Sequence, residues 1–186
     1  MHIGILALQG AVTPHFPHLN ALGVTFTEVR AVEDLLNIDG LILPGGESST
    51  MLKLIDVYNM KSALADFFKT KPAWGICAGT ILMAREVSNP AQFSFNAIDI
   101  AVVRNGYGSQ LDSFHADINE YPVSFIRAPV IDKIGKDVGV KAEHSGHAIW
   151  VEQGNKMATA FHPELTPDYP SPMHQRFLEL VQAAKG

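Results

Sequence analysis

The chain has 186 residues, of which 47% are hydrophobic, and its formal net charge is −5 at pH 7. A chain of this length can bury a sizeable core, and we expect residues 1–186 to form one domain. The acidic balance argues against nucleic acid as a partner, and no apolar run is long enough to predict a membrane span. Since a lone cysteine cannot form an internal disulfide and suits a reducing compartment, we expect a soluble cytoplasmic protein.

The first half of the chain alternates short strand patterns with short helical patterns. Continuous apolar or β-branched runs predict strands at residues 2–8, 25–29, 40–43 and 73–76. Helices are predicted at residues 14–22, 31–36 and 60–69 and from about residue 50. This alternation is typical of a three-layer, mostly parallel, doubly wound α/β sheet of the flavodoxin-like kind, in which ligands bind at the carboxyl ends of the strands.

In the second half the strand patterns lie too close together for helices between them. Runs at residues 98–103, 114–118 and 123–126 predict an antiparallel extension of the sheet, and runs at 148–152 and 157–161 predict a hairpin. The last segment predicts a helix that Ser171 caps and Pro172 begins. The predicted buried stripe of this helix consists of Phe177, Leu178, Val181 and Ala184.

The only cysteine follows the predicted strand at residues 73–76 and stands between two glycines, Gly75 and Gly79. A strand that turns sharply into a helix through Gly-x-nucleophile-x-Gly is a nucleophile elbow. Cys77 then lies at a helix N-terminus, where the free N–H groups favour a thiolate. Because a single buried cysteine is more often inert than catalytic, a catalytic role also requires a base and an oxyanion site.

One histidine stands out as the base. His162 follows the predicted strand at residues 157–161, and Glu164 comes two positions later, so both side chains point to the same side of an extended segment. Glu164 can then orient the imidazole while the other ring nitrogen meets the thiol, although an exposed proline turn is the plainer alternative. The six histidines at positions 15, 18, 115, 144, 147 and 174 are interpreted as solvated or structurally satisfied, and no spacing typical of a metal site is present.

A glycine pair predicts the oxyanion site. Gly45-Gly46 comes at the end of the strand at residues 40–43, where backbone N–H groups can approach a ligand closely. The donors would be an N–H near Gly46 and the N–H of Ala78, the residue after the nucleophile. Gln9-Gly10 ends the first strand in the same way, and Ser48 or Ser49 is expected to cap the next helix.

Taken together, these pieces resemble the class I glutamine amidotransferases, and most closely the glutaminase subunits of pyridoxal 5′-phosphate synthases. The elbow and His-Pro-Glu are shared by the whole superfamily, whereas the Leu-Gln-Gly-Ala, Gly-Gly-Glu-Ser and Ile-Arg-Ala-Pro blocks are particular to these subunits. All the matching motifs run in order along the chain: Leu8-Gln9-Gly10-Ala11-Val12, Leu43-Pro44-Gly45-Gly46-Glu47-Ser48, Gly75-Ile76-Cys77-Ala78-Gly79, Arg104-Asn105, Asp112-Ser113-Phe114, Phe125-Ile126-Arg127-Ala128-Pro129 and Phe161-His162-Pro163-Glu164-Leu165-Thr166.

The resemblance implies an activity and a set of site residues. Cys77 would be the nucleophile, His162 the general base and acid, and Glu164 the residue that orients His162. The glutamine site would consist of Gly46, Glu47, Ser48, Arg104, Ile126 and Arg127, supported by Gln9, Gly10, Gly75 and Gly79. L-Glutamine would be hydrolysed to glutamate, and the ammonia would pass to a separate synthase subunit in a heteromeric complex. The chain itself would need no cofactor.

Three other interpretations remain open from the sequence. The chain could serve an amidotransferase of histidine or purine synthesis, it could be a cysteine peptidase-like α/β protein, or it could be a binding partner without activity. The Pro14-His15 pair and the stretch at residues 89–99 also depart from the pattern of the family.

Overall fold

A computed structural model describes residues 1–104, 113–118 and 120–186. Two residues of the matching blocks, Asn105 and Asp112, lie outside the described residues. The strands are β1 (His2–Leu6), β2 (Thr25–Val29), β3 (Gly40–Leu43), β4 (Ala73–Ile76), β5 (Ala84–Ser88), β6 (Ile98–Val103), β7 (Ser113–Ile118), β8 (Tyr121–Ile126), β9 (Val130–Ile134), β10 (Gly139–His144), β11 (His147–Gln153) and β12 (Lys156–Thr159).

Within the described residues, ten of these strands form one sheet in the order β2-β1-β3-β4-β12-β11-β9-β6-β5, with β10 paired to β11. The five strands from β2 to β12 pair in parallel, and β5 pairs in parallel with β6. Four pairs are antiparallel, namely β6 with β9, β9 with β11, β10 with β11, and β11 with β12. The predicted parallel sheet with an antiparallel extension is therefore confirmed.

The helices are α1 (His15–Ala21), α2 (Ser48–Val57), α3 (Lys61–Thr70), α4 (Ala78–Met83) and α5 (Pro172–Ala183), with 3-10 helices at Val32–Leu35 and Pro163–Leu165. Alternate residues of the central strands face opposite sides of the sheet, as the pleat requires. Leu41 and Leu43 pack in a core with α2, α3 and α4, whereas Ile42 packs in a second core with α1 and α5. Two cores on the two faces produce the predicted three layers.

Three local predictions were wrong. Glu47, not Ser48 or Ser49, caps α2, because its side chain accepts hydrogen bonds from the N–H groups of Ser49 and Thr50. Strands β7 and β8 do not extend the main sheet but form a two-stranded sheet of their own. Glu164 does not lie on the predicted extended segment after His162 but in the 3-10 helix Pro163–Leu165. In addition, strand β5, which begins at Ala84, was not predicted from the sequence.

The C-terminal helix α5 begins as predicted, with Ser171 accepting a hydrogen bond from the N–H of His174. Its buried stripe is partly different from the predicted one. Phe177 and Val181 are buried, but Leu178 is half-buried and Ala184 is exposed. The remaining buried positions of α5 are Met173, His174 and Leu180.

Candidate active site

Cys77 occupies a sharp turn between β4 and α4. Its backbone angles are φ 49° and ψ −99°, a conformation that a non-glycine residue rarely adopts and that is found at functional sites. A Cβ atom on Gly75 would lie 2.6 Å from the carbonyl carbon of Gly79, and one on Gly79 would lie 2.8 Å from that of Leu43. Both glycines are therefore required by close backbone packing, and the predicted elbow is present.

Hydrogen bonds to the end of strand β12 hold the turn at Cys77 in place. The N–H of Cys77 donates to the carbonyl oxygen of Thr159 over 2.8 Å. The buried hydroxyl of Thr80 lies 2.8 Å from the same oxygen and 2.9 Å from the carbonyl oxygen of Gly75. These buried hydrogen bonds fix the position of Cys77 relative to the end of β12, which leads to His162.

His162 is held from both sides. Its backbone N–H donates to the carbonyl oxygen of Ser124 in β8 over 2.7 Å, so the small antiparallel sheet positions His162. Its Nδ1 lies 2.7 Å from Oε1 of Glu164, and both side chains are buried. The exposed turn that was the plainer alternative for this segment is thereby excluded.

The pKa of His162 depends on the neighbouring groups Cys77 and Glu164. Burial lowers the pKa of His162, but the hydrogen bonds with Cys77 and Glu164 and the charges of both groups outweigh burial and raise that pKa to about 10. Burial raises the pKa of Glu164, and its hydrogen bond with His162 and the charge of His162 reverse this effect, so that its pKa is lowered. An imidazolium between a carboxylate and a sulfur atom is the charge distribution that a thiolate nucleophile requires.

The loop after β3 lies beside the imidazole and is fixed by the loop after β1. The N–H of Ala11 donates to the carbonyl oxygen of Gly45 over 2.9 Å, and the N–H of Glu47 donates to Oε1 of Gln9, also over 2.9 Å. Gly46, between them, would bring a Cβ atom within 2.5 Å of Oε1 of Gln9. The two loops thus form one wall in which Gly46 has no room for a side chain.

Glu47 connects this wall to the N-terminus of α2 and to Arg104. Its carboxylate accepts hydrogen bonds from the N–H and hydroxyl groups of Ser49 and Thr50, with distances between 2.7 and 3.2 Å. Burial raises the pKa of Glu47, but these hydrogen bonds prevail and lower it to about 2. Arg104 reaches the same carboxylate across 3.2 Å. Ser48 is buried, and its hydroxyl donates to Oε1 of Gln92 over 3.2 Å.

A cavity of about 350 Å³ opens above Cys77. Its walls include ten of the predicted site residues, namely Gln9, Gly10, Gly46, Glu47, Ser48, Cys77, Arg104, Ile126, Arg127 and His162. Gly45, Ala11, Ile81 and Leu165 also line it, and the last three were not among the predicted site residues. Ile81 lies one helical turn after the nucleophile, and Leu165 directly follows Glu164, so spacing alone could have indicated both.

Four predicted residues do not line the cavity. Gly75, Gly79 and Glu164 lie behind its wall, where they support Cys77 and His162. Ala78 begins α4, so its N–H has no partner within the helix, as an oxyanion donor requires. The carbonyl oxygen of Ile126, at the end of β8, lies 3.9 Å from Sγ of Cys77.

The described part of the chain contains neither a cluster of metal ligands nor a membrane-spanning helix. Residues 1–104, 113–118 and 120–186 contain no group of three or more His, Cys, Asp or Glu side chains arranged to hold a metal ion. Within the same ranges, no helix has the length and apolar character needed to cross a membrane.

Known proteins match this chain along nearly its whole length. The SNO glutamine amidotransferase family matches residues 5–183. The pyridoxal 5′-phosphate synthase subunit PdxT of Shouchella clausii is 43% identical over 188 residues, which cover 97% of this chain and 95% of the relative. The subunit of the same name from Geobacillus sp. is 43% identical and matches all of both chains.

Solved structures agree in fold. A glutamine amidotransferase crystal structure superimposes with a TM-score of 0.88 at 37% identity, covering 97% of this chain and 98% of the other. The structure of PurLQS from Thermotoga maritima superimposes with a TM-score of 0.63, covering 100% of this chain and 98% of the matched chain. Since that protein is only 14% identical, its likeness concerns the fold alone.

Proposed function

The chain belongs to the SNO glutamine amidotransferase family, and on this premise we propose that it is the glutaminase subunit of a pyridoxal 5′-phosphate synthase. It hydrolyses L-glutamine and passes the ammonia to a synthase subunit. The observation that carries the proposal is that Cys77 and His162 line one cavity, while the buried carboxylate of Glu164 lies behind the cavity wall, 2.7 Å from Nδ1 of His162. We propose that residues 1–186 act as one catalytic domain in the cytoplasm, where the nucleophilic cysteine stays reduced.

In the proposed reaction, the Cys77 thiolate attacks the side-chain amide carbon of glutamine. The carbon–nitrogen bond breaks as His162, in its imidazolium form, gives its proton to the departing nitrogen, which leaves as ammonia. A water molecule then loses a proton to the neutral His162 and attacks the thioester carbon. The carbon–sulfur bond breaks, which releases glutamate and regenerates the thiolate. Glu164 holds the imidazole in one orientation and stabilises its charged form through both addition steps.

Each addition step places negative charge on the amide oxygen of the substrate. We assign its stabilisation to the N–H of Ala78 and to an N–H at Gly46, because Cys77, which directly precedes Ala78, and Gly46 both line the cavity. Charged groups of both signs in the cavity wall, including Glu47, Arg104 and Arg127, suit the zwitterionic end of free glutamine better than the uncharged backbone of a peptide.

The test is the release of glutamate and ammonia from glutamine, with and without a pyridoxal 5′-phosphate synthase subunit. We expect little activity from the chain alone, strong stimulation by that partner, and loss of activity in Cys77→Ala. A synthase of histidine or purine synthesis should not stimulate it, and peptides should not be cleaved. Full activity of Cys77→Ala, or hydrolysis that no pyridoxal 5′-phosphate synthase subunit stimulates, would refute the proposal.

A further inference from the structure

Three histidines that the proposed reaction does not use are buried against Glu164. Nε2 of His18 lies 3.3 Å from the carbonyl oxygen of Glu164. The ring of His18 stacks on that of His174 at a centroid distance of 4.2 Å and an interplanar angle of 6°. Nδ1 of His15 lies 2.8 Å from Nε2 of His174. All three rings are buried, although their sequence context does not distinguish them from exposed histidines.

The hydrogen bonds of this cluster have one direction. The hydroxyl of Ser171 lies 2.6 Å from Nδ1 of His174, and among the described residues this nitrogen is its one available acceptor. Nδ1 of His174 must then accept, so its Nε2–H donates to Nδ1 of His15. Burial lowers the pKa of His174 well below its ordinary value and lowers the pKa of His15 to about 4. A neutral His15 whose Nδ1 accepts must carry its single proton on Nε2.

Two buried polar atoms, one on His15 and one on Glu164, have complementary hydrogen-bonding roles. Nε2 of His15 and Oε2 of Glu164 are both buried, and neither has a hydrogen-bond partner in the described part of the chain. The first is a donor and the second is a carboxylate acceptor. The two residues also act on each other electrostatically, since the charge of Glu164 favours a proton on His15 and His15 favours the charged form of Glu164. Unpaired buried polar atoms are rare because each one costs free energy.

We propose that His15 is a positioning residue of the active site, whose Nε2–H pairs with Oε2 of Glu164 through one water molecule. The proposal rests on the catalytic roles given to Cys77, His162 and Glu164 above. With Oε1 bound to His162 and Oε2 bound to His15, the carboxylate cannot rotate away from the imidazole. The site thereby extends into a neutral relay that ends at Ser171.

Replacements at His15 separate the hydrogen bond from the packing. His15→Phe keeps a flat ring but removes both ring nitrogens, whereas His15→Gln returns an amide N–H near the position of Nε2. In the complex with the synthase subunit, we expect His15→Phe to lower kcat about tenfold, as loss of a hydrogen bond to a charged group does. KM for glutamine should stay within about twofold, since uniform substrate binding is not affected. His15→Gln should recover most of kcat, and the matched control His2→Phe, at the start of β1, should retain all of it.

A double-mutant cycle tests whether His15 acts through the carboxylate. In a Glu164→Ala background, His15→Phe should cause no further loss of kcat. Equal losses in both backgrounds, equal losses in His15→Phe and His15→Gln, or wild-type kcat in folded His15→Phe would each overturn the proposal. If His15→Phe does not fold, His15→Asn takes its place, because its shorter amide reaches His174 but not Glu164.

A second readout does not depend on glutamine. Because Cys77 is the only cysteine, the rate at which iodoacetamide alkylates the complete chain at pH 7 reports the Cys77–His162 pair alone. We expect this rate to fall in His15→Phe and to recover in His15→Gln, and an unchanged rate in both would contradict the proposal. If the wild-type complex released no ammonia, the proposed function would fail, but the alkylation series would still decide the role of His15.

Discussion

Gly45 lies directly against the imidazole of His162. A Cβ atom on this glycine would lie 2.7 Å from Nδ1 of the ring and nearer still to Cε1. Real Cβ atoms almost never approach other atoms so closely, and movement of the ring would disturb the hydrogen bond between the same nitrogen and Glu164. Gly45 therefore fixes how closely the loop after β3 approaches the imidazole of His162.

We expect Gly45→Ala to displace the imidazole and to lower kcat by about 10²-fold, the effect of misplacing a reacting group by roughly 1 Å. Overpacking should also lower the free energy of unfolding by about 1–3 kcal/mol. The control is Gly139→Ala in β10, where the nearest atom to the new Cβ would lie 3.8 Å away. Steady-state glutamine hydrolysis in the complex, together with urea denaturation of the chain, measures both effects. Wild-type kcat in Gly45→Ala would show that the loop and the ring move apart freely.

Glu164→Gln removes the charge that keeps His162 protonated. Because Cys77 and Glu164 raise the pKa of His162 to about 10, the wild-type imidazolium persists over most of the alkaline range, and kcat should decline only near pH 10. In Glu164→Gln the imidazolium should lose its proton at a lower pH, so the alkaline decline of kcat should move downward. The amide also favours the wrong ring tautomer, so kcat at pH 7.5 should fall by at least about 10²-fold.

Glutamate formation from pH 6 to pH 10.5 measures the position of this decline without interference from ammonia. The matched control is Glu86→Gln on the exposed side of β5, which should leave the whole profile unchanged. An alkaline decline at the same pH in wild type and Glu164→Gln would mean that the carboxylate does not hold the proton on His162.

The buried histidines should make the fold sensitive to mild acid. Burial lowers the pKa of His15 to about 4, whereas an unfolded histidine titrates near 6.5. Between these values the unfolded chain binds a proton that the folded chain does not, so stability is full above pH 6.5 and falls as the pH is lowered. From pH 7.5 to pH 5.0 the loss for His15 should be roughly 2 kcal/mol, since each pH unit below 6.5 contributes about 1.4 kcal/mol.

Urea denaturation at both pH values measures this loss, and both lie above the ordinary pKa values of carboxyl groups, about 3.9 for Asp and about 4.3 for Glu. His18 and His174, whose pKa values burial also lowers, should add to the loss in the wild type. The change between the two pH values should be smaller in His15→Phe by the share of one histidine. An identical change in wild type and His15→Phe would show that His15 is charged or accessible when the chain is folded.

Local sequence patterns predicted those features of the fold that depend on residues close together in the chain. The continuous apolar runs predicted β1, β3 and β4 because both faces of a central parallel strand are buried, and the two glycines around Cys77 indicated a turn that tolerates no side chain. The prediction that His162 and Glu164 lie on one side of an extended segment was wrong about the backbone, because Glu164 lies in the 3-10 helix Pro163–Leu165. The predicted meeting of the two side chains is nevertheless present, at 2.7 Å.

The features that were not predicted from the sequence depend on contacts between residues that are far apart in the chain. His15 and His174 are 159 positions apart, and only the packing of α1 beside α5 turns two ordinary histidines into a buried pair. Strands β7 and β8 have the alternation of sheet strands, but pairing partners are not encoded in alternation, so their separate sheet was missed. Glu47 was predicted as a substrate residue, and its use as the cap of α2 follows from backbone angles that no pattern displays.

Glu47 has two tasks, and its replacement should affect both. Its carboxylate caps α2, and loss of such a cap costs about 1 kcal/mol, so Glu47→Ala should lower the free energy of unfolding by that amount. It also anchors the loop that carries Gly46 and pairs with Arg104 across the cavity, so KM for glutamine should rise. Glu47→Gln keeps one acceptor oxygen and should retain part of the stability. Ser49→Ala removes one hydroxyl donor but leaves the N–H groups of the cap, and is the control for stability. Urea denaturation and KM measured on the same variants separate the two tasks: a stability loss with unchanged KM would confine Glu47 to the cap.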